Sequence, residues 1–227
     1  MILLLALLLL SYLIGSVPTS IIMGRVIRGI DIRDYGSGNA GATNAFRVLG
    51  WKPALVVVLV DIFKGWFTAA IIPATGGVIS GWTFGAALGE LPFSDSLLTA
   101  ILCGAAAVLG HSFTLFAGFR GGKGVGTLGG MILHLFPWAL LLGLAVWVLL
   151  LVVTGYVSVG SVTAVTLFPL VTYLRDGTLN SSPGYFSLLI VAFIWFTHRG
   201  NVARLLAGTE NRFEKVMVWR RGRKQSH

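Results

Sequence analysis

The sequence predicts an all-α integral membrane protein: a seven-helix transmembrane bundle with its N-terminus outside and its C-terminus in the cytoplasm. Three observations lead there. Of 227 residues, 56% are hydrophobic and only 11% are charged, against roughly 25% charged in a soluble domain, so the chain lacks the polar surface of a soluble globule. Its apolar residues run in stretches of about the length that crosses a bilayer. Its net charge of +9 is gathered in a few segments.

The first apolar stretch, residues 1–14, has no basic segment before it and no small-residue cleavage pattern after it. It reads as a retained first span ending near residues 22–23, and not as a cleaved signal. Further apolar stretches run at about 52–73, 97–117, 138–153, 157–174 and 184–197. The basic residues then test the count of six. Arg25, Arg28, Arg33, Arg47 and Lys52 lie in 24–52, and Arg120 and Lys123 in 118–126. Arg199, Arg204, Arg212, Lys215, Arg220, Arg221, Arg223 and Lys224 follow His198. All three groups belong on the cytoplasmic side, whereas 74–96 carries Glu90, Asp95 and no basic residue and so faces outward. A first span that runs inward and a tail that ends inside require an odd number of crossings. A short glycine-rich crossing at about 124–135, turning outside at 134–137, restores the parity. A re-entrant 124–135 segment with another span miscounted is the alternative. Residues 1–227 read as one transmembrane domain, ending in a short basic tail over 211–227. The lone Cys103 excludes an intramolecular disulfide.

Polar chemistry gathers in three stretches on the cytoplasmic side. The first, DYGSGNAGATNAFR over 34–47, combines Gly36, Gly38 and Gly41 with Ser37, Asn39, Thr43, Asn44 and the guanidinium of Arg47. Glycines let the backbone approach a ligand closely, and successive N–H groups in such turns form anion-binding nests. The second is Gly110-His111 followed by FRGGKGVGT over 119–127, where Gly122 and Gly124 flank Lys123 ahead of an expected helix start. Backbone donors, a helix dipole and a point charge suit phosphate. Lys123 is followed by glycine, so the stretch does not fit the nucleotide-binding spacing G-x-x-x-x-G-K-[ST]. Tight packing through small residues would explain its glycines but not its lysine. The third is HRGNVAR over 198–204, continuing to Glu210 and Arg212. On a helix His198, Asn201 and, one turn further, Arg204 share a face, while an interfacial end cap would also account for Arg199 and Arg204. Ser158 and Ser161 lie one helical turn apart just past the 154–155 turn. Asp61 and Lys64, three apart within an apolar segment, read as a structural ion pair.

Several chemistries are missing. No His-x-x-x-x-Asp pair occurs, no Gly-x-Ser-x-Gly elbow has triad partners, and four histidines without clustered carboxylates make no metal site. No metal or other cofactor is expected. What is left suits a transfer in which the protein positions anionic substrates and stabilises developing charge.

With these stretches in view, the sequence resembles the bacterial acyl-phosphate-dependent glycerol-3-phosphate acyltransferases, the PlsY family, over nearly its whole length. The resemblance rests on Gly15-Ser16-Val17-Pro18, GSGNAGATN over 36–44 with Arg47, and Asp61-x-x-Lys64-Gly65. It continues with Gly110-His111, GGKGV over 121–125, Ser158 with Ser161, and His198-x-x-Asn201 through Glu210. Two stretches depart from the family pattern: in the basic loop Arg120 and Gly126 stand where Lys and Ala are more usual, and after Gly110-His111 the residue Thr114 stands where a proline is. The resemblance implies transfer of a fatty acyl group from acyl phosphate to the 1-hydroxyl of glycerol 3-phosphate, with a substrate phosphate oxygen taking the proton. It implies that Ser37, Arg47 and Lys123 clamp the phosphate, that Gly38, Asn39, Thr43 and Asn44 shape the first loop, and that His111, Gly122, Gly124 and Glu210 serve substrate binding. Ser161 or Ser158, with His198 and Asn201, would line the reacting centre. The implied location is the bacterial inner membrane with the site facing the cytoplasm.

The expected partners are the two substrates and membrane lipid, without nucleic acid, for a chain acting as a monomer. The competing reading is a transporter or channel for an organic phosphate. Polar groups should then line both halves of the bilayer path, whereas here they gather on one side. A purely structural membrane protein would leave Ser37, Arg47, Lys123 and Asn201 without a purpose.

Overall fold

The computed structural model describes residues 2–80, 95–213 and 217. Most of the outward loop expected at 74–96, with Glu90, and the tail residues Lys215, Arg220, Arg221, Arg223 and Lys224 lie outside the described residues. The chain forms two compact units, Met1–Pro137 and Trp138–His227. The described residues are all-α, and six of their helical segments are long and apolar enough to cross a membrane.

In the first unit the N-terminal span is a broken helix. α1 (Ile2–Gly15) and α2 (Thr19–Arg28) together form the 26-residue candidate span Leu3–Arg28. Pro18 has no N–H to give the Ile14 carbonyl, so the i→i−4 ladder breaks there, and the Ile14 and Val17 carbonyls accept instead from the N–H groups of Val17 at 3.3 Å and Thr19 at 3.0 Å. In a bilayer such groups must be satisfied within the protein. The Thr114 hydroxyl donates to the Ser16 carbonyl, and the Lys64 ammonium donates to the Val17 carbonyl at 3.2 Å. The span runs past the expected end at 22–23 because Arg25 and Arg28 fill the last turn of α2, where cations favour the helix dipole.

A short 3₁₀ turn (Ile32–Asp34) leads through the first glycine-rich loop into α3 (Ala42–Leu49), which buries Asn44, Ala45 and Leu49 and exposes Phe46. α4 (Trp51–Ser80) and α5 (Asp95–Ser112) are long apolar helices; a second 3₁₀ turn (Leu115–Ala117) and the second glycine-rich loop follow. α6 (Val125–Leu135) has 11 residues, about 16 Å at 1.5 Å per residue, which is short of the roughly 30 Å hydrocarbon core. It lies hard against α4. A Cβ added at Gly65 would fall 1.9 Å from the Thr127 carbonyl oxygen, and one at Gly130 1.8 Å from that of Ile62. Small residues permit this close approach where no hydrophobic effect drives helices together. The glycines of 121–130 therefore divide between helix packing and the loop.

The second unit opens with α7 (Pro137–Thr154), which has no buried residue and exposes Leu141, Leu144, Val148 and Leu149. The span expected at 157–174 is the candidate span Val157–Asp176, built of two helices, α8 (Val157–Thr166) and α9 (Phe168–Asp176). Pro169 removes a backbone donor in the first turn of α9, and the chain steps at Leu167. α10 (Ser182–Leu206) starts under a side-chain cap, the Ser181 hydroxyl accepting from the Gly184 N–H at 3.2 Å, with Pro183 in its first turn. Its buried residues Ser187, Ile190, Ile194, His198 and Asn201 recur every three or four positions on one face.

Candidate active site

In the first unit both glycine-rich loops meet. Asn44, fully buried, organises the first loop from within. Its Oδ1 accepts from the Ser37 N–H at 2.8 Å, and its Nδ2 donates to the carbonyls of Ile32 at 2.9 Å and Tyr35 at 3.0 Å. Gly36, at φ 63°, passes so close that a Cβ would lie 2.3 Å from Asn44 Oδ1. Ser37, Asn39, Thr43 and Arg47 are half-buried around this hub, and Gly38 is exposed.

The second loop is held from behind. The N–H groups of Gly121 and Gly122 donate to the carbonyls of Ser112 and His111 at 3.0 and 3.1 Å. Those two N–H groups are thus spent on the fold, and not among the backbone donors to phosphate expected of this stretch. The half-buried Lys123 and the start of α6 stand beyond them. Gly124, at φ 85°, makes the left-handed turn into that helix. The loops touch at Gly122, where a Cβ would lie 2.9 Å from the Ala40 carbonyl oxygen.

Behind Gly122 sits a buried ionic cluster. Asp61 and Lys64 form the ion pair expected from their spacing, Nζ to Oδ1 2.9 Å, with side chains 5% and 4% exposed. The Lys64 ammonium has three hydrogens and three acceptors: Asp61, the Val17 carbonyl and His111 Nδ1 at 2.9 Å. His111 Nδ1 is also 3.5 Å from Asp61 Oδ1, and the Thr19 hydroxyl donates to that oxygen at 3.5 Å. His111 is joined to these helices through its side chain and to the loop through its carbonyl.

One part of the loop architecture escaped the sequence reading. Arg33 lies against Asp31, Nη2 to Oδ2 2.7 Å and Nε to Oδ1 3.0 Å. Its Nη1 donates to the carbonyls of Ala117 at 2.8 Å and Arg120 at 3.2 Å. The Arg33 guanidinium holds the Asp31 carboxyl down at about 2, against a smaller opposing effect of burial. The signal in the sequence is the Asp-x-Arg spacing of Asp31 and Arg33 just ahead of the first loop.

In the second unit two of the residues expected around the reacting centre, Asn201 and Ser158, are bonded to Glu210. Its Oε1 accepts from Asn201 Nδ2 at 2.6 Å and the Ser158 hydroxyl at 3.0 Å, and its Oε2 from Arg204 Nε at 2.7 Å. Arg204 is therefore directed to Glu210, and not only an interfacial end cap. Arg199 stays at the surface, its guanidinium 4.3 Å from the Phe196 ring centroid. His198 Nδ1 donates to the Ile194 carbonyl at 2.9 Å, which leaves Nε2 as the basic nitrogen of the neutral ring. Ser161 accepts from Trp147 Nε1 at 3.1 Å. His198, Asn201, Ser158 and Ser161 are all buried.

Burial pushes the Glu210 carboxyl up, but the hydrogen bonds from Asn201, Arg204 and Ser158 outweigh it and hold it below the ordinary range. A depressed folded-state value contributes stability above the ordinary carboxylate pKa of about 4.3, lost as pH falls through the lowered value. Thermal unfolding followed in detergent is expected to be flat in this contribution from pH 5 to 8 and to weaken only below about pH 4. Glu210→Gln should remove that acid-side loss, and a loss between pH 5 and 7 that the variant abolishes would contradict the assignment.

A family model described as "Glycerol-3-phosphate acyltransferase" matches residues 5–208. The chain belongs to this glycerol-3-phosphate acyltransferase family. Among its relatives are glycerol-3-phosphate acyltransferases of Chlorobaculum tepidum, 42% identical, and Chlorobaculum parvum, 43% identical. Each alignment covers 92% of this chain and 95% of the relative. Among solved structures, the chain is similar to PlsY (YgiH), an integral membrane glycerol 3-phosphate acyltransferase. Its glycerol 3-phosphate form aligns with a TM-score of 0.77 and 32% identity over 94% of this chain and 96% of that one. Its lysophosphatidic acid form aligns with a TM-score of 0.76 over 95% and 98%. The chain is a multi-pass protein of the bacterial inner membrane. The buried Thr114 hydroxyl ties the broken first span to the segment after α5 by donating to the Ser16 carbonyl.

Proposed function

We propose that this chain transfers a fatty acyl group from acyl phosphate to the 1-hydroxyl of sn-glycerol 3-phosphate, as a first step of phospholipid synthesis. The hydroxyl oxygen forms a bond to the acyl carbonyl carbon, and the bond from that carbon to the phosphate oxygen breaks. The products are 1-acyl-glycerol 3-phosphate and inorganic phosphate. A phosphate oxygen of the substrate takes the hydroxyl proton, consistent with the sparse set of protein bases. The observation that carries the reading is the meeting of two glycine-rich loops at Ala40 and Gly122, beside Lys123, in a chain of this family.

Ser37, Arg47 and Lys123 bind the phosphate of glycerol 3-phosphate. Gly38, Asn39, Thr43, Asn44, Gly122 and Gly124 shape the loops, and His111 supports the second loop. In the second unit His198, Asn201 and one of Ser158 and Ser161 serve the reacting centre, with Glu210 ordering them. A ring nitrogen oriented by Ile194 and a serine bonded to Glu210 support these roles. The family match over 5–208 supports treating the chain as one acyltransferase domain. Seven crossings, an outside N-terminus, a cytoplasmic C-terminus and a cytoplasm-facing site follow the charge parity, with the 11-residue apolar α6, shorter than the full hydrocarbon core, as the seventh crossing. The active species is a monomer with no cofactor, and nucleic acid is not a partner.

The test is purified protein in lipid with acyl phosphate and labelled glycerol 3-phosphate, with acyl-CoA and acyl carrier protein thioester as competing donors. Lysophosphatidic acid is expected from acyl phosphate. No product from any donor would sink the enzyme reading, and product only from a thioester would sink the donor assignment. Lys123→Ala should raise the KM for glycerol 3-phosphate about 10- to 100-fold, the scale of a charged contact. The KM for acyl phosphate should stay near wild type. Unchanged kinetics would remove Lys123 from the clamp.

A further inference from the structure

We propose that Arg33 is a positioning residue for the acyl transfer: it braces the turn ahead of Lys123 against the base of the first glycine-rich loop. Three observations carry it. The Arg33 guanidinium is oriented by Asp31 through both carboxylate oxygens, and Asp31 Oδ1 also accepts the Arg33 N–H at 3.0 Å. A planar guanidinium held on one edge presents its remaining donors in a fixed direction. Those donors reach Ala117 and Arg120, the two carbonyls that bracket the turn at 118–119.

That turn needs holding. Gly118 and Phe119 are both left-handed, at φ 65° and φ 58°, and Phe119 is the one non-glycine residue with positive φ among the described residues. A phenylalanine there is strained, and such a conformation persists only where its surroundings over-determine it. Its own backbone contributes one tie, the Phe119 N–H donating to the Thr114 carbonyl at 2.8 Å. The Phe119 side chain is exposed and offers little packing. Arg33 supplies the cross-link from the other loop. On the far side of the turn, Gly121 and Gly122 are tied to Ser112 and His111. The short segment 117–122 is thus pinned at both ends, and Lys123 projects from its end. Arg33 sets the height of that segment relative to Ser37 and Arg47 without touching substrate.

The inference rests on the reading of Lys123 as part of the glycerol 3-phosphate clamp, and the experiment separates the two. Arg33→Gln, Arg33→Lys and Asp31→Asn are assayed in lipid with acyl phosphate and glycerol 3-phosphate. Hydrogen exchange is followed at the amides of 118–122. Arg33→Gln should raise the KM for glycerol 3-phosphate about tenfold and speed exchange at 118–122. The KM for acyl phosphate should stay within about twofold and the unfolding temperature near wild type. Arg33→Lys, which keeps the charge but loses the fork, should recover part of the loss. Asp31→Asn should move in the same direction with smaller amplitude. Unchanged exchange at 118–122 in Arg33→Gln would overturn the brace. Faster exchange with an unchanged KM for glycerol 3-phosphate would overturn its catalytic purpose, as would an equal rise in both KM values. A wild-type protein that makes no lysophosphatidic acid would instead sink the acyltransferase reading, and the positioning role with it.

Discussion

Lys64→Met is expected to destabilise the protein by about 3–5 kcal/mol, the scale for removing one partner of a buried ion pair. Lys64 holds Asp61, His111 and the Val17 carbonyl at once, at 2.9, 2.9 and 3.2 Å. Its loss leaves the Asp61 carboxylate, 5% exposed, with the Thr19 hydroxyl and His111 in apolar surroundings. It also strips one of two donors from the Val17 carbonyl, which keeps only the Thr19 N–H at 3.0 Å. A buried charge without its counter-charge is far costlier than the absent pair. The double variant Asp61→Leu/Lys64→Met should therefore recover much of the loss. The measurement is unfolding of the three proteins in detergent. A single variant as stable as wild type, or a double variant no better than the single, would show that the pair is not what holds α2, α4 and α5 together.

The ion pair itself could be read from the sequence, because its partners are three residues apart on one helix and charges in an apolar run must be matched. His111 joining it could not, since that contact spans 47 residues and depends on how α4 and α5 pack. The same division runs through the site. The two glycine-rich stretches, Lys123 between glycines and the shared face of His198 and Asn201 are local patterns with local physical reasons. What those residues bond to is tertiary. Asn44, expected to shape its loop, does so by closing a ring of hydrogen bonds with Ile32, Tyr35 and Ser37. Arg33 reads in the sequence as charge and Arg204 as an interfacial end cap, and each has a specific carboxylate partner. Glycine's two uses, turning the backbone and letting helices touch, are indistinguishable as letters. Gly124 does the first and Gly130 the second. The span boundaries moved for similar reasons: Pro18 and Pro169 break helices that composition alone would join.

Gly122→Ala is expected to lower kcat/KM for glycerol 3-phosphate about 100-fold, the cost of misplacing a binding group by roughly 1 Å. An added Cβ would stand 2.1 Å from His111 Nε2 and 2.9 Å from the Ala40 carbonyl oxygen. A flexible side chain could swing away, but the His111 ring is anchored at Nδ1 by the Lys64 ammonium. Ala40 is backbone, carried on the first loop. The loop itself must therefore give, breaking or stretching the Gly122 N–H bond to the His111 carbonyl and carrying the adjacent Lys123 with it. The stability loss should be modest by comparison, about 1–3 kcal/mol as for other overpacked sites, because the helices behind need not move. Gly129→Ala is the control. Its Cβ would meet nothing within 4 Å, and alanine in a helix interior is favoured over glycine, so activity should match wild type. Gly122→Ala retaining kcat/KM within about threefold, when measured in lipid beside that control, would mean that Lys123 does not depend on the loop's seat against His111. The ionic cluster would then be scaffolding for the helices alone. A large loss confined to glycerol 3-phosphate would instead connect the buried charges of α4 to the clamp through one ring and one glycine.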